Sequence, residues 1–365
     1  MNNNTGIYVH IPFCRRKCKY CDFTSYDREF NAVGDYFKKL EDEMLSFERC
    51  DVDTIYFGGG TPSCVDSFYI CSFLEKLYNH FNVKDDAEIT IEVNPDSVDS
   101  DKLNSYKKAG FNRISMGAQS FVDEELKFLG RLHDAEGIRT AYELIRKCGF
   151  DNVSLDLMFG LPGQTIENLG YSINEILKLS PEHISCYGLK IEEGTCLYEH
   201  LKSGKLVPID DDLFADMYEF LCEELSSNRY TQYEISNFSL KGKESRHNSR
   251  YWTCDEYIGL GSGASSCLNG VRSKNTSDIL NYENEVEEVL TENDKMSEFV
   301  ILGLRMTEKG INAEEFEARF NKSIYDVFDK QLKKYSQFII QEGSVLKLNK
   351  NAYYISNAIL SEFLL

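Results

Sequence analysis

From its start to about residue 190 the chain alternates between short apolar runs and longer stretches whose apolar positions recur every three or four residues. The short runs are GIYVHIPF from Gly6, DTIYFGGG from Asp53, EITIEV from Glu88, RISMGAQS from Arg113, VSLDLMFGL from Val153 and HISCYGL from His183, and they predict six strands. Between them Phe37, Leu40, Met44 and Phe47 share helical spacing. So do Ile70, Leu74, Leu77 and Phe81, and then Ile138, Tyr142, Ile145 and Cys148, so each interval supplies an amphipathic helix. Strand then helix, repeated with right-handed crossovers, builds a parallel sheet covered by helices. Six such units are too few to close an eight-stranded barrel. The expected fold class is therefore α/β, an open partial barrel of the (β/α)6 kind.

Nearly every predicted strand ends in unusual residues: Cys14 onward, Gly58 to Pro62, Asn94 and Pro95, Gln119, and Gly160 to Gly163. Parallel α/β folds bind ligands at the carboxyl ends of their strands, so these positions are expected to converge on one site. Beyond residue 190 the alternation fails, and polar helical stretches with a glycine-rich segment, IGLGSGASS from Ile258, take over. From about residue 294, apolar helical patterns (Phe299, Leu302; Phe316, Phe320; Val327, Leu332) precede two β-like runs, SVLKL and AYYIS. The expected division is 1–190 as the partial barrel, 191–293 as its extension, and 294–365 as a small helical or winged-helix-like C-terminal domain. A single core stops growing near about 250–300 residues, which agrees with one large unit and a smaller one.

Composition narrows the function classes. The 365 residues are 42% hydrophobic and 27% charged, ordinary for a globular protein. Forty basic against 60 acidic residues leave a net charge of −20, a surface that repels phosphate backbones, so no nucleic-acid partner is expected. No stretch approaches the ~20 apolar residues of a membrane-spanning helix. The opening MNNNTGIYVHIPF lacks the charged and apolar regions of an export signal, so the expected location is cytoplasmic. In that setting the twelve cysteines should be reduced, and those outside one triplet are scattered.

That triplet is Cys14-Arg-Arg-Lys-Cys18-Lys-Tyr-Cys21, directly after the first strand. Thiolates are the usual ligands of iron–sulfur clusters, and three of them leave one iron of a four-iron cluster open. An open iron can chelate the amino and carboxylate groups of a small molecule, as reductive cleavage of a sulfonium requires. Arg15, Arg16, Lys17 and Lys19 should favour thiolate by lowering the cysteine pKa values, and they argue against burial. The other readings are a helix with three buried cysteines, or part of a zinc site completed from elsewhere. Gly58, Gly59 and Gly60 allow either a tight turn or close approach of backbone amides to a ligand. Glu92 and Asp156 interrupt apolar strands and should be buried carboxylates in need of partners.

YVHIPFCRRKCKYCDF resembles the radical S-adenosylmethionine superfamily, in the branch that holds oxygen-independent coproporphyrinogen III oxidases (HemN) and heme chaperones (HemW). GGGTPS from Gly58, IEVNP from Ile91, RISMGAQSF from Arg113, LGRLHDA from Leu129 and DLMFGLPGQT from Asp156 match the same branch. The resemblance implies a 4Fe–4S cluster on Cys14, Cys18 and Cys21. It further implies S-adenosylmethionine contacted by Tyr8, Gly59, Gly60, Thr61 and Glu92, with Gln119, Arg131 and Asp156 as further nucleotide-binding polar positions and Tyr20 near the cluster. Without it, an Arg131–Asp156 ion pair is the simpler reading of those two residues.

Two places separate the subfamilies. The oxidases carry one more cysteine two residues beyond the third, where this chain has Phe23. The segment His247-Asn248-Ser-Arg-Tyr251-Trp252 matches the HNxxYW motif of the heme chaperones, an imidazole that can bind iron beside flat apolar surface for a porphyrin. A surface histidine beside two packed aromatics is the bland reading. The resemblance favours a chaperone that binds heme and delivers it to apo-heme client proteins, without coproporphyrinogen III dehydrogenase activity. The alternatives are the oxidase itself and a plain iron–sulfur electron carrier.

Overall fold

A computed structural model of the chain describes residues 4–365, so the first three residues of the 1–190 unit lie outside it. All six predicted strands form: β1 (Thr5–Ile11), β2 (Asp51–Gly59), β3 (Asn82–Val93), β4 (Arg113–Gln119), β5 (Val153–Phe159) and β6 (His183–Gly188). They pair in that order, every neighbour parallel. β3 starts six residues before its apolar run, because Asn82 and Val83 pair with Asp51 and Val52 of β2.

The crossovers are the predicted helices, α1 (Val33–Leu45), α2 (Ser67–His80), α3 (Ser100–Ala109), α4 (Ala135–Lys147) and α5 (Ile166–Leu179). Phe47, Phe81 and Cys148 fall just past their helices' ends. Side-chain caps start all but α1: Asp66 accepts from the Phe68 amide in α2, Asp99 from Lys102 in α3, Asp134 from Gly137 in α4 and Thr165 from Asn168 in α5. Their apolar faces cover the sheet; in α1 these are Tyr36, Phe37, Leu40 and Met44, all buried. β1 is buried on both faces except at Tyr8, as a strand covered by helices should be.

After residue 190 the structure departs from expectation. Helices α6 (Asp211–Ser227) and α7 (Arg246–Trp252) occur, but six short strands are interleaved with them. β7 (Thr231–Glu234) and β8 (Asn237–Ser239) extend the sheet beyond β6. β9 (Tyr257–Leu260) joins β1 in parallel, followed by β10 (Ser265–Leu268), β11 (Val271–Asn275) and β12 (Asn284–Val289). The result is one open twelve-stranded sheet, ordered β12-β11-β10-β9-β1-β2-β3-β4-β5-β6-β8-β7. These strands are three to six residues long, and β12 is exposed throughout, so little apolar alternation marks them.

In the C-terminal part β13 (Ile311–Asn312), β14 (Ile339–Glu342) and β15 (Val345–Leu348) make a small antiparallel sheet beside helices Glu292–Gly303 and Ala313–Phe320. SVLKL is a strand as expected. AYYIS is not: it runs through a 3-10 turn into the helix Ser356–Leu360, with Ala352 and Tyr353 packed into the core. Among the described residues no helix is long and apolar enough to cross a membrane.

Candidate functional site

Two cavities lie at opposite ends of the parallel strands. The lower, about 720 Å3, is lined largely by charged and polar groups, several of them paired with one another. Arg250 pairs with Asp53, and Glu88 accepts from the backbone amides of Arg246 at 3.2 Å and His247 at 3.0 Å. Amino-terminal strand ends of this kind serve stability.

The upper cavity, about 840 Å3, collects the carboxyl ends of the strands. Pleating sends alternate residues into it. These are Tyr8 and His10 from β1, Tyr56 from β2, Glu92 from β3, Ser115 and Gln119 from β4, Asp156 from β5, and Ser185 and Tyr187 from β6. Gln119 has φ of +72°, beside a register shift between Gly117 and Gln119 that turns the end of β4.

The cysteine loop forms the rim. The Lys19 amide donates to the Leu129 carbonyl at 3.1 Å, and the Leu197 amide to the Lys19 carbonyl at 3.0 Å, so the loop is pinned on both sides. All three thiols line the cavity, and Tyr20 lies beside them, packed on Leu129 and Met158. Cys14 is only 7% exposed, and burial pushes its thiol up to about 12; burial pushes Cys21 up as well. This corrects the expectation that the basic neighbours keep the thiol of Cys14 exposed and those of Cys14 and Cys21 acidic. Arg15, Arg16 and Lys17 are exposed, where water screens them, and desolvation of Cys14 and Cys21 outweighs their charge. The cation that reaches a thiol is Arg131, whose Nη1 donates to the Cys18 sulfur at 3.5 Å.

The three thiols share one wall of the cavity without converging, among the described residues, on a point for a single ion. A zinc site needs such convergence, with sulfurs about 2.3 Å from one metal. A four-iron cluster spreads its thiolates over the corners of a cube, and the rim fits that donor set.

Arg131 does not pair with Asp156. Its Nη2 donates to Asn94 Oδ1 at 2.6 Å and to the Gly117 carbonyl at 2.8 Å, while Asn94 Nδ2 donates to Thr61 Oγ1 at 3.1 Å. Thr61 in turn neighbours the Cys14 sulfur at 3.6 Å. One chain of contacts thus couples the glycine loop to two cysteines. The loop's amides, expected to face a ligand, are used internally: Gly59 N donates to Glu92, Gly60 N to the Ile11 carbonyl and Thr61 N to the Phe13 carbonyl. Glycine is needed at position 59 because φ is +109° and a Cβ would stand 2.6 Å from the His10 ring. Gly59, Gly60 and Thr61 nevertheless line the cavity.

Glu92 and Asp156 are half-buried and open onto the cavity rather than sealed. Glu92 Oε1 accepts from the Tyr56 hydroxyl at 2.7 Å and Oε2 from the Gly59 amide at 3.2 Å. Burial, opposed by the Tyr56 bond and reinforced by the Asp156 charge, pushes the Glu92 carboxyl up to about 7. Burial likewise pushes Asp156 up to about 6, against a hydrogen bond to Ser185. A carboxyl raised in this way binds its proton more tightly folded than unfolded, so its stabilising share is complete at low pH and is lost as pH rises through about 7. Glu92→Gln removes that dependence. Relative to wild type, the variant should gain about 1–2 kcal/mol of stability between pH 5 and pH 8, read by urea denaturation; parallel pH profiles would contradict the assignment.

Ser245 caps α7, which lies between the two cavities. His247 is 1% exposed, neither a surface residue nor an open ligand. Its Nδ1 bonds Thr54 Oγ1 at 3.0 Å, its Nε2 bonds the Tyr251 hydroxyl at 3.0 Å, and its ring stacks on Tyr56 with centroids 5.2 Å apart. Burial lowers its pKa to about 3, so the imidazole is neutral. His247, Asn248 and Tyr251 line the upper cavity. Trp252 does not: its ring lies under the Arg305 guanidinium, 4.5 Å away. The expected platform of Tyr251 with Trp252 is not formed, because successive helical residues point about 100° apart.

Sequence reasoning passed over His10, Tyr56, Ser115 and Ser185 as site residues, whereas Asn94 was among the strand-end positions expected to converge there. The signal was present: each shares strand parity with a singled-out position or stands as a lone polar residue in an apolar run.

The Radical SAM superfamily model matches residues 8–176, and the HemN C-terminal domain model matches residues 290–355. The chain is 35% identical to "Heme chaperone HemW" of Bacillus subtilis, covering 98% of each chain. It is 33% identical to the protein of that name from Lactococcus lactis, over 98% of this chain and 97% of the relative. The Escherichia coli protein of that name is 37% identical over 71% of this chain and 69% of its own. The solved structure of coproporphyrinogen III oxidase (HemN) from Escherichia coli superposes with a TM-score of 0.87 over 99% of this chain and 90% of that one; at 22% identity this likeness speaks for the fold.

Proposed function

The chain belongs to the HemW family of the radical S-adenosylmethionine superfamily, and from that membership we propose that it binds heme and delivers it to apo-heme proteins. Cys14, Cys18 and Cys21 would hold a 4Fe–4S cluster, with S-adenosylmethionine beside it. The observation that carries this reading is the single cavity into which the cysteine loop and the helix bearing His247, Asn248 and Tyr251 both open.

A four-iron cluster with one iron free of protein ligands supplies a chelation point for an amino acid and, when reduced, an electron. The chain's own groups do the rest. Glu92, ionised above about pH 7 and aligned by Tyr56 and Gly59, favours a cationic ligand. Arg131 brings positive charge to Cys18 and, through Asn94, fixes the glycine loop. Gln119 and Asp156 add further polar groups to the cavity lining.

His247 is a neutral imidazole, so no proton competes with iron for it. Its Nε2, however, is engaged by Tyr251, and that bond must open for ligation. Tyr251→Phe should therefore tighten heme binding by about threefold to tenfold, the worth of one hydrogen bond, and His247→Ala should lose the axial ligand. A Soret titration measures both; an unchanged Soret band in His247→Ala removes this residue from the ligand role. Incubating the reconstituted protein anaerobically with coproporphyrinogen III, reductant and S-adenosylmethionine tests the oxidase reading. No protoporphyrinogen is expected, and its formation would overturn the chaperone assignment.

A further inference from the structure

Two features at the mouth of the upper cavity are unused so far. Phe23 is 61% exposed yet lines the cavity. It is displayed on a fixed backbone, since its carbonyl accepts from Lys17 Nζ at 3.1 Å and from Ser25 Oγ at 3.2 Å. A large ring held against water on a rigid loop marks a contact surface.

The adjoining lip is built from β10 and β11. Thr24 packs on Gly263, where a Cβ would stand 2.5 Å from the Thr24 hydroxyl. Ser265, two residues on, pairs in register with Lys274, and both line the cavity. The Lys274 side chain is exposed and, among the described residues, makes no hydrogen bond or ion pair; the same holds for the Arg16 side chain on the cysteine-loop side. Their neighbours are engaged, Lys190 by Glu192 and Lys17 by the Phe23 carbonyl. Both side chains line the same cavity, which places two cations without a protein counter-ion at one mouth. Cations left free beside exposed aromatic surface fit a ligand that brings its own anions.

We infer that this mouth grips a flat apolar ring system carrying carboxylates on its edge, with Phe23 against the ring and Lys274 and Arg16 on the carboxylates. The inference rests on the heme reading and deepens it: the propionate edge of heme is held at the rim, apart from whatever binds its iron. Free fatty acids or simple anions offer one half of this chemistry without the other.

The test titrates the cluster-reconstituted protein with hemin and with hemin dimethyl ester in one detergent-containing buffer, following the Soret band. Lys274→Glu is expected to weaken hemin about fivefold to tenfold and leave the ester unchanged, and Lys274→Arg to restore wild-type affinity. Phe23→Ser should weaken both compounds at unchanged iron content. Equal hemin affinity in wild type and Lys274→Glu overturns the inference, as does an equal loss for hemin and ester. Failure of the wild type to bind either compound would instead strike the heme reading beneath it.

Discussion

Cys14→Ser protein, reconstituted anaerobically with iron and sulfide, should fail to acquire the roughly four irons per chain expected of the wild type. Cys14 is the innermost of the three thiols. It ends the first strand's path into the loop, beside the Thr61 hydroxyl, and the Phe13–Cys14 bridge to Tyr26–Asp27 fixes its position. Serine preserves the volume but offers a hydroxyl that stays protonated where a thiolate is needed, and two remaining thiolates hold a four-iron cluster poorly. The near-ultraviolet and visible absorbance of the cluster should vanish with the iron. Cys196→Ser is the control, since Cys196 is exposed and outside the cavity, and it should retain full iron. Wild-type iron in Cys14→Ser, or zinc in place of iron in the wild type, would overturn the site.

The second large effect is on stability. Arg250→Ala should cost about 3–4 kcal/mol in urea denaturation, because it strips one partner from a buried ion pair. The Arg250 side chain is 3% exposed and that of Asp53 8%. Arg250 Nη1 also donates to the carbonyls of Asn4 at 2.8 Å and Glu256 at 3.2 Å, tying the chain's start, α7 and the approach to β9 together. Gly6 makes room for it, since a Cβ there would stand 2.6 Å from Arg250 Cδ. His247 rides on the same helix, so heme affinity should fall together with stability. A change below about 1 kcal/mol would mean that the lower cavity hydrates the pair and that it does not anchor α7.

The parallel half of the fold was legible because it rests on local periods. The runs from Gly6 to His183 and the helical spacing of Phe37, Leu40 and Met44 fall where strands and helices form. β7 to β12 were not legible. They are short and add to the two edges of an existing sheet; β9 and β8 are placed there by partners distant in sequence, β1 and β6, while the hairpin partners β7 and β10 to β12 carry little apolar alternation of their own. AYYIS shows the same limit, with β-favouring residues overridden by packing into the C-terminal core.

The sequence by itself determined the inventory: six strand–helix units, three thiols on the loop after the first strand, carboxylates at positions 92 and 156, and a histidine–tyrosine helix motif. These follow from composition and spacing along the chain, which local sterics and hydrophobic burial translate directly into elements. Only the tertiary structure decided the electrostatics and the facing. It buried Cys14 against its basic neighbours, gave Arg131 to Asn94 and Cys18 instead of Asp156, spent the glycine-loop amides on the protein itself, enclosed His247 between Thr54 and Tyr251, and turned Trp252 away. Desolvation and hydrogen-bond partners depend on which distant strands and helices meet, and that is set by long-range packing rather than by residue order.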